Sequence, residues 1–154
     1  MDPPADHARR YLCLSRQAPT LKIRRVCLED VAQAMVKALQ TDAADGQHVP
    51  LGGPEALTGD EVAANLSQAL GRPESFLSLA PEEFAARMRE LVTGSREVQP
   101  LSIYDGMAKF YAWYNAQLEA PLIVDPQNAR ELLGMKHTSH FEWAKSKDWM
   151  DGLG

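Results

Sequence analysis

The sequence predicts an α+β fold, a few short strands covered by about five helices. Three observations carry that expectation. Apolar residues recur at helical spacing through the longer segments, short alternating runs lie between them, and Gly or Pro breaks separate the two kinds. No internal repeat or shift in composition divides the chain, so residues 11–154 are expected to form a single domain, with 154 residues enough to bury about two-thirds of the unfolded surface. Residues 1–10, polar and carrying Pro3 and Pro4, read as a loose or partner-docked arm.

Each element has a local reason. Residues 11–15 and 21–27 have the alternation of short strands. From Leu28-Glu29-Asp30 a helix runs to Leu39 with Val31, Ala34, Met35 and Ala38 on one face. Residues 41–46 are a polar turn, residues 47–51 read as a strand that Pro50 confines to an edge, and Gly52-Gly53-Pro54 breaks the chain. Thr58 three residues before Glu61 is a capping-box pair, which predicts a helix over Gly59–Leu70 stopped by Gly71. Residues 75–79 alternate as a strand, and Pro81 with two glutamates opens a helix carrying Phe84, Met88 and Leu91 to Gly94. Residues 101–118 form a long helical segment with Ile103, Met107, Phe110, Tyr111 and Tyr114 on a broad face. Asp125-Pro126 starts a short helix ended by Gly134, and Ser139 with Glu142 makes a second capping box for a helix through Trp149.

Charge and composition exclude several classes. A net charge of −5 argues against a nucleic-acid partner, and the one basic cluster, Lys22, Arg24 and Arg25, alternates with Leu21 and Ile23 as the solvent side of a strand does. No apolar run approaches a membrane span, and the N-terminus lacks the order of a secretory signal, so the expected location is cytoplasmic. Cys13 and Cys27 show neither a disulfide framework nor a zinc pattern.

The ordered series from Val26 to Ala32, from Gly46 through Gly52-Gly53-Pro54-Glu55-Ala56-Leu57-Thr58 to Ala63, then Leu70-Gly71-Arg72, residues 125–134 and Phe141-Glu142-Trp143 resembles the C-terminal half of NmrA-like atypical short-chain dehydrogenases. The likeness covers residues 22–150. It implies the substrate-side lobe of that fold, one wall of a cleft for an apolar or aromatic small molecule, with Asp30 anchoring the start of its helix. The sequence contains no GxGxxG or GxxGxxG turn and no Tyr-x-x-x-Lys pair, so no cofactor of its own is expected.

The aromatic helix concentrates flat apolar area with hydroxyls, which makes Tyr104, Phe110, Tyr111 and Tyr114, beside Trp113, the expected ligand-binding residues, or else core. His48, Asp105 and Tyr104 are the candidate catalytic groups: a histidine for proton transfer, and an aspartate that burial would raise toward neutral pKa. His137 and His140 read as neighbours of a helix cap, with no metal pattern around them. The leading expectation is a small-molecule-binding lobe without an NAD(P) site. The alternatives are a cofactor-independent lyase, isomerase or cyclase using Tyr, His or Asp, and a subunit that completes an NAD(P)-dependent reductase with a Rossmann partner. Uncovered apolar surface makes a homodimer or that Rossmann partner the expected association.

Overall fold

The computed structural model describes residues 13–15, 18–117 and 123–149; the arm at residues 1–10 lies outside the described residues. In chain order the elements are β1 Cys13–Ser15, β2 Ile23–Arg24, α1 Leu28–Ala38, a 3₁₀ turn Asp42–Ala44, β3 Ala56–Leu57, α2 Gly59–Leu70, β4 Phe76–Ser78, α3 Pro81–Thr93, α4 Ile103–Asn115, α5 Gln127–Leu133 and α6 His140–Ser146. Among the described residues six α-helices thus cover two small two-stranded sheets, in keeping with the α+β class. β1 pairs parallel with β4, Cys13 opposite Phe76, and β2 pairs antiparallel with β3, Ile23 opposite Leu57.

The helix starts follow local chemistry. Thr58 and Glu61 close a full capping box on α2, as Ser139 and Glu142 do on α6, and the positive φ of Gly71, Gly94 and Gly134 ends α2, α3 and α5. Ser102 accepts the Asp105 N–H at the head of α4. Three patches of core result. Ala34 of α1 packs with Leu133 and Met135; Val62 and Leu66 of α2 pack with Ala144 of α6; and Phe84 and Ala85 of α3 are buried where α3 meets Ala108 and Tyr114 of α4.

Several sequence expectations need correction. Residues 47–51 form no strand; they run irregularly over the α1 core, and the partner of β2 comes later, at Ala56–Leu57. The strand expected over residues 21–27 is paired only at Ile23–Arg24, because β3 offers just two residues to pair with. The helix expected over residues 101–118 is shorter at both ends, since Ser102 takes the cap position and Ala116 ends the helix. Pro126 stands outside α5 as its cap residue, and α6 stops at Ser146 before Trp149. The inward face of α1 is also turned relative to the predicted one: Asp30 and Ala34 are buried, whereas Met35 and Leu39 stand exposed.

Arg24 does not lie on a solvent face. Its Nη1 donates to the carbonyls of Gly53 and Pro54 at 3.2 and 2.8 Å, which clamps the Gly-Gly-Pro turn to β2. Gly53 is pressed so close that a Cβ there would stand 1.8 Å from the Arg25 carbonyl oxygen. Gly46 has open space around it but a φ of +67°. Gly53→Ala is therefore expected to cost at least about 3 kcal/mol in urea unfolding, because two backbones must part. Gly46→Ala should cost only about 1 kcal/mol, the strain of a left-handed alanine.

Candidate functional site

A cleft of about 760 Å³ opens between the chain running from β2 into α1 and the helix α6 with its flanks. The volume lies within the range of small-molecule sites, roughly 300 to 1,000 Å³. Each wall has a separate origin. β2 continues through Arg25 and Val26 to Cys27, the residue that caps α1, and the capping box of α2 aims Val62 and Leu66 at the floor. The capping box of α6 sets His140 and Trp143 on the opposite wall.

The aromatic wall is built from two indoles. Trp149, just past α6, packs edge-to-face on Trp143 with centroids 5.6 Å apart and planes at 88°, and its Nε1 donates to the Ala144 carbonyl at 2.7 Å. The imidazole of His140 lies 5.7 Å from Trp143. At the rim Lys147 pairs with Glu29, joining the end of α6 to the start of α1.

The polar end is held by long-range contacts. The Asp30 carboxylate, 3% exposed, accepts the Thr138 N–H at 2.6 Å and the Thr138 hydroxyl at 2.8 Å, and Glu55 accepts the His140 N–H at 2.9 Å. Burial, and then the Arg25 charge, push the His140 pKa below the usual histidine value against the pull of Glu55. Its Nδ1 is buried with no hydrogen-bond partner among the described residues. His137, 2% exposed, is lowered by burial first, with Asp30 opposing and Arg130 assisting. Burial, with the Asp30 carboxylate beside it, raises the Cys27 thiol, which keeps it a protonated, weakly nucleophilic wall residue. The cleft can thus take a flat apolar body against Trp143 and offer the neutral His140 imidazole to it, with Arg24, Arg25, Glu29 and Lys147 supplying charge around its edge.

The predicted site residues are elsewhere. Tyr104, Phe110, Tyr111 and Tyr114 all belong to α4, and none of them lines this cleft. Tyr114 is buried in the α3–α4 core, its hydroxyl without a described partner and its pKa raised by burial, and Phe110 packs against Tyr111, Trp113 and Tyr114. Tyr104 and Tyr111 are half-buried, and His48 is exposed in the irregular run before Gly52. Asp105 lacks the environment of a raised carboxyl: Lys109 at 2.8 Å and the Leu101 N–H hold its pKa below the usual range. Sequence reasoning missed His140, Trp143 and Trp149. Their signal was the Ser139-Glu142 capping box, which fixes His140 and Trp143 three apart on one side of a helix.

No protein-family model matches the chain. An NAD(P)H azoreductase from Xenophilus azovorans is 35% identical over 91 residues, 59% of this chain and 30% of that protein. A nucleoside-diphosphate-sugar epimerase from Staphylococcus aureus superposes with a TM-score of 0.64 at 17% identity, over 85% of this chain and 42% of the other. An NADPH-dependent quinone oxidoreductase from Escherichia coli gives 0.64 at 21% identity, over 85% and 45%. The chain shares the fold of about half of each of these solved structures, and it resembles the C-terminal half of NmrA-like reductases. It spans less than half the length of each of these proteins.

The dinucleotide of these reductases can be tested against the residues present. A pyrophosphate needs a helix N-terminus with open glycine amides. Here every helix except α5 has an acid in its first turn, Glu29 and Asp30 on α1 and Asp60 and Glu61 on α2 among them. The Gly52-Gly53 turn is filled by Val124 and Arg25. The described residues do not fit a pyrophosphate.

The two lowered histidines contribute to the loss of stability toward acid. Each resists protonation when folded, so below about pH 6.5 the unfolded chain binds protons that the native one refuses. The histidine contribution should fall as pH drops through that value, and the carboxylates held below their usual range, Glu29, Glu61, Glu83, Asp105 and Glu142, add a further loss below about pH 4.5. Thermal melts from pH 7.5 to 4.5 check this, and His137→Leu should flatten the decline in the upper part of the range.

Proposed function

We propose that this chain is the substrate-binding lobe of an NAD(P)H-dependent reductase, taking a planar, conjugated small molecule in the cleft between β2 and α6. The observation that carries the reading is the cleft itself: Trp143 and Trp149 pack on Val62 and Leu66 to make one apolar, aromatic side, with the His140 imidazole beside Trp143 and charged groups of Arg24, Arg25, Glu29 and Lys147 around the edge. A flat ring stacks on the indole, and a carbonyl or azo acceptor at its edge meets the His140 imidazole. The azoreductase and quinone oxidoreductase among the relatives are named for such molecules, which supports the choice of class. The epimerase shares the fold with another chemistry, so the fold alone does not fix the reaction.

In this reading the lobe binds and orients the acceptor while the reductant comes from a nucleotide-binding half. A second observation favours that arrangement over a cofactor-independent lyase or isomerase. Leu101, Ile103, Phe110 and Trp113 stand exposed at the head and along the outer side of α4, and Leu101 is forced to a φ of +63° with its amide on Asp105. An exposed apolar set of this size marks a contact surface. On this account Phe110 of the aromatic helix serves docking, and His48 and Asp105 have no proton to move.

Titration of the chain with 1,4-naphthoquinone should quench the tryptophan emission saturably, with Kd in the micromolar range, about 8 kcal/mol. Trp143→Ala should weaken that binding at least tenfold, and His140→Leu should weaken 1,4-naphthoquinone more than naphthalene. Quenching that is linear and equal in all variants would remove the cleft as the site. NADPH alone should bind no tighter than about millimolar by calorimetry, roughly 4 kcal/mol.

A further inference from the structure

The outward side of α1 carries Leu28, Ala32, Met35 and Leu39, with Val36 beside them, and all five are exposed. Leu28 is 82% exposed and Leu39 89%. The steps between the four are four, three and four residues, the seam of an antiparallel or parallel coiled coil and not a scatter of single apolar residues. The inward side of the same helix is already engaged, Asp30 by Thr138 and Ala34 by Leu133 and Met135. The outward seam is therefore additional to what the fold of the lobe requires.

We propose that this seam pairs two copies of the chain through antiparallel α1 helices. The residues fix that occupant by being complementary to themselves. With a dyad between Gln33 and Ala34, Leu28 of one copy meets Leu39 of the other at both ends, and Ala32 meets Met35 twice in the middle. Long methionine against small alanine fills each central layer, whereas a parallel pairing stacks Ala32 on Ala32 and leaves a void. The antiparallel arrangement also sets each helix N-terminus beside a C-terminus, where the helix dipoles attract. The flanking positions place Glu29 opposite Val36, so no like charges meet. Lys37 points away, its amine on the Gly134 carbonyl at 3.1 Å. Full cover of the five side chains on both copies gives at most roughly 1,000 Å², the low end of what a specific interface needs.

The pairing reaches the cleft. Leu28 lines it as well as the seam, so Leu39 from the second copy stands at its α1 rim. The dimer does not depend on what the cleft binds.

Sedimentation velocity of the full chain at about 50 μM should show a dimer. Met35→Glu should give a monomer with melting temperature nearly unchanged, because Met35 makes no part of the lobe's core. Register is read by disulfide trapping in a Cys13→Ser/Cys27→Ser background: a mixture of Leu28→Cys and Leu39→Cys chains should yield covalent dimers, and neither chain alone should. A monomeric wild type, a dimer indifferent to Met35→Glu, or Leu39→Cys chains that link to themselves would each overturn the proposal. A pairing through the α4 surface would show itself as the second of these results.

Discussion

The grip of Asp30 on Thr138 is the contact on which the cleft depends. It joins residues 108 apart in sequence, and both carboxylate oxygens are used, one for an amide and one for a hydroxyl. A carboxylate at 3% exposure is costly to bury, and it is tolerated here because it accepts charge-assisted hydrogen bonds and stands in the first turn of α1, where the helix dipole favours negative charge. Through it the segment Met135-Lys136-His137-Thr138 is fixed to α1, and that segment in turn sets where α6 begins. The exposed pair of Glu29 and Lys147 also joins the two walls, but a contact of that kind contributes little in water.

The same economy appears at the Gly-Gly-Pro turn. Arg24 could have been a surface cation, but its guanidinium satisfies two carbonyls of a turn that is too tight for ordinary backbone pairing. Gly53 lacks a side chain because Arg25 backbone occupies the space. β2 and β3 are therefore held by a clamp more than by their ladder, two residues long. This explains how so short a sheet can carry one wall of a cleft.

What the sequence made legible divides along a physical line. Capping boxes, positive-φ glycines and the stop at Gly71 are local devices, and the helices they define, Gly59–Leu70 above all, were readable because every interaction involved lies within a turn. Strand pairing is non-local, so the alternation at residues 47–51 looked like a strand while the chain paired β2 with Ala56–Leu57 instead. The rotation of α1 went unread for a related reason. Its apolar residues occupy more than one face, and only the burial of Asp30, decided by Thr138 far along the chain, determines which face turns inward.

The cleft lies away from the aromatic helix because aromatic density in the sequence is not aromatic exposure to a cavity. The α4 rings pack on one another or turn to solvent: Phe110 packs on Tyr111, Trp113 and Tyr114, Trp113 stands exposed, and Tyr114 is only 2% exposed. Trp143 and Trp149 are only two rings, but a capped helix and the turn after it set them edge-to-face beside a histidine. A ligand site requires side chains that converge across a gap, and convergence follows from which elements meet. In this lobe they meet where β2 runs into α1 and α6 returns beside it, a junction that depends on one buried carboxylate.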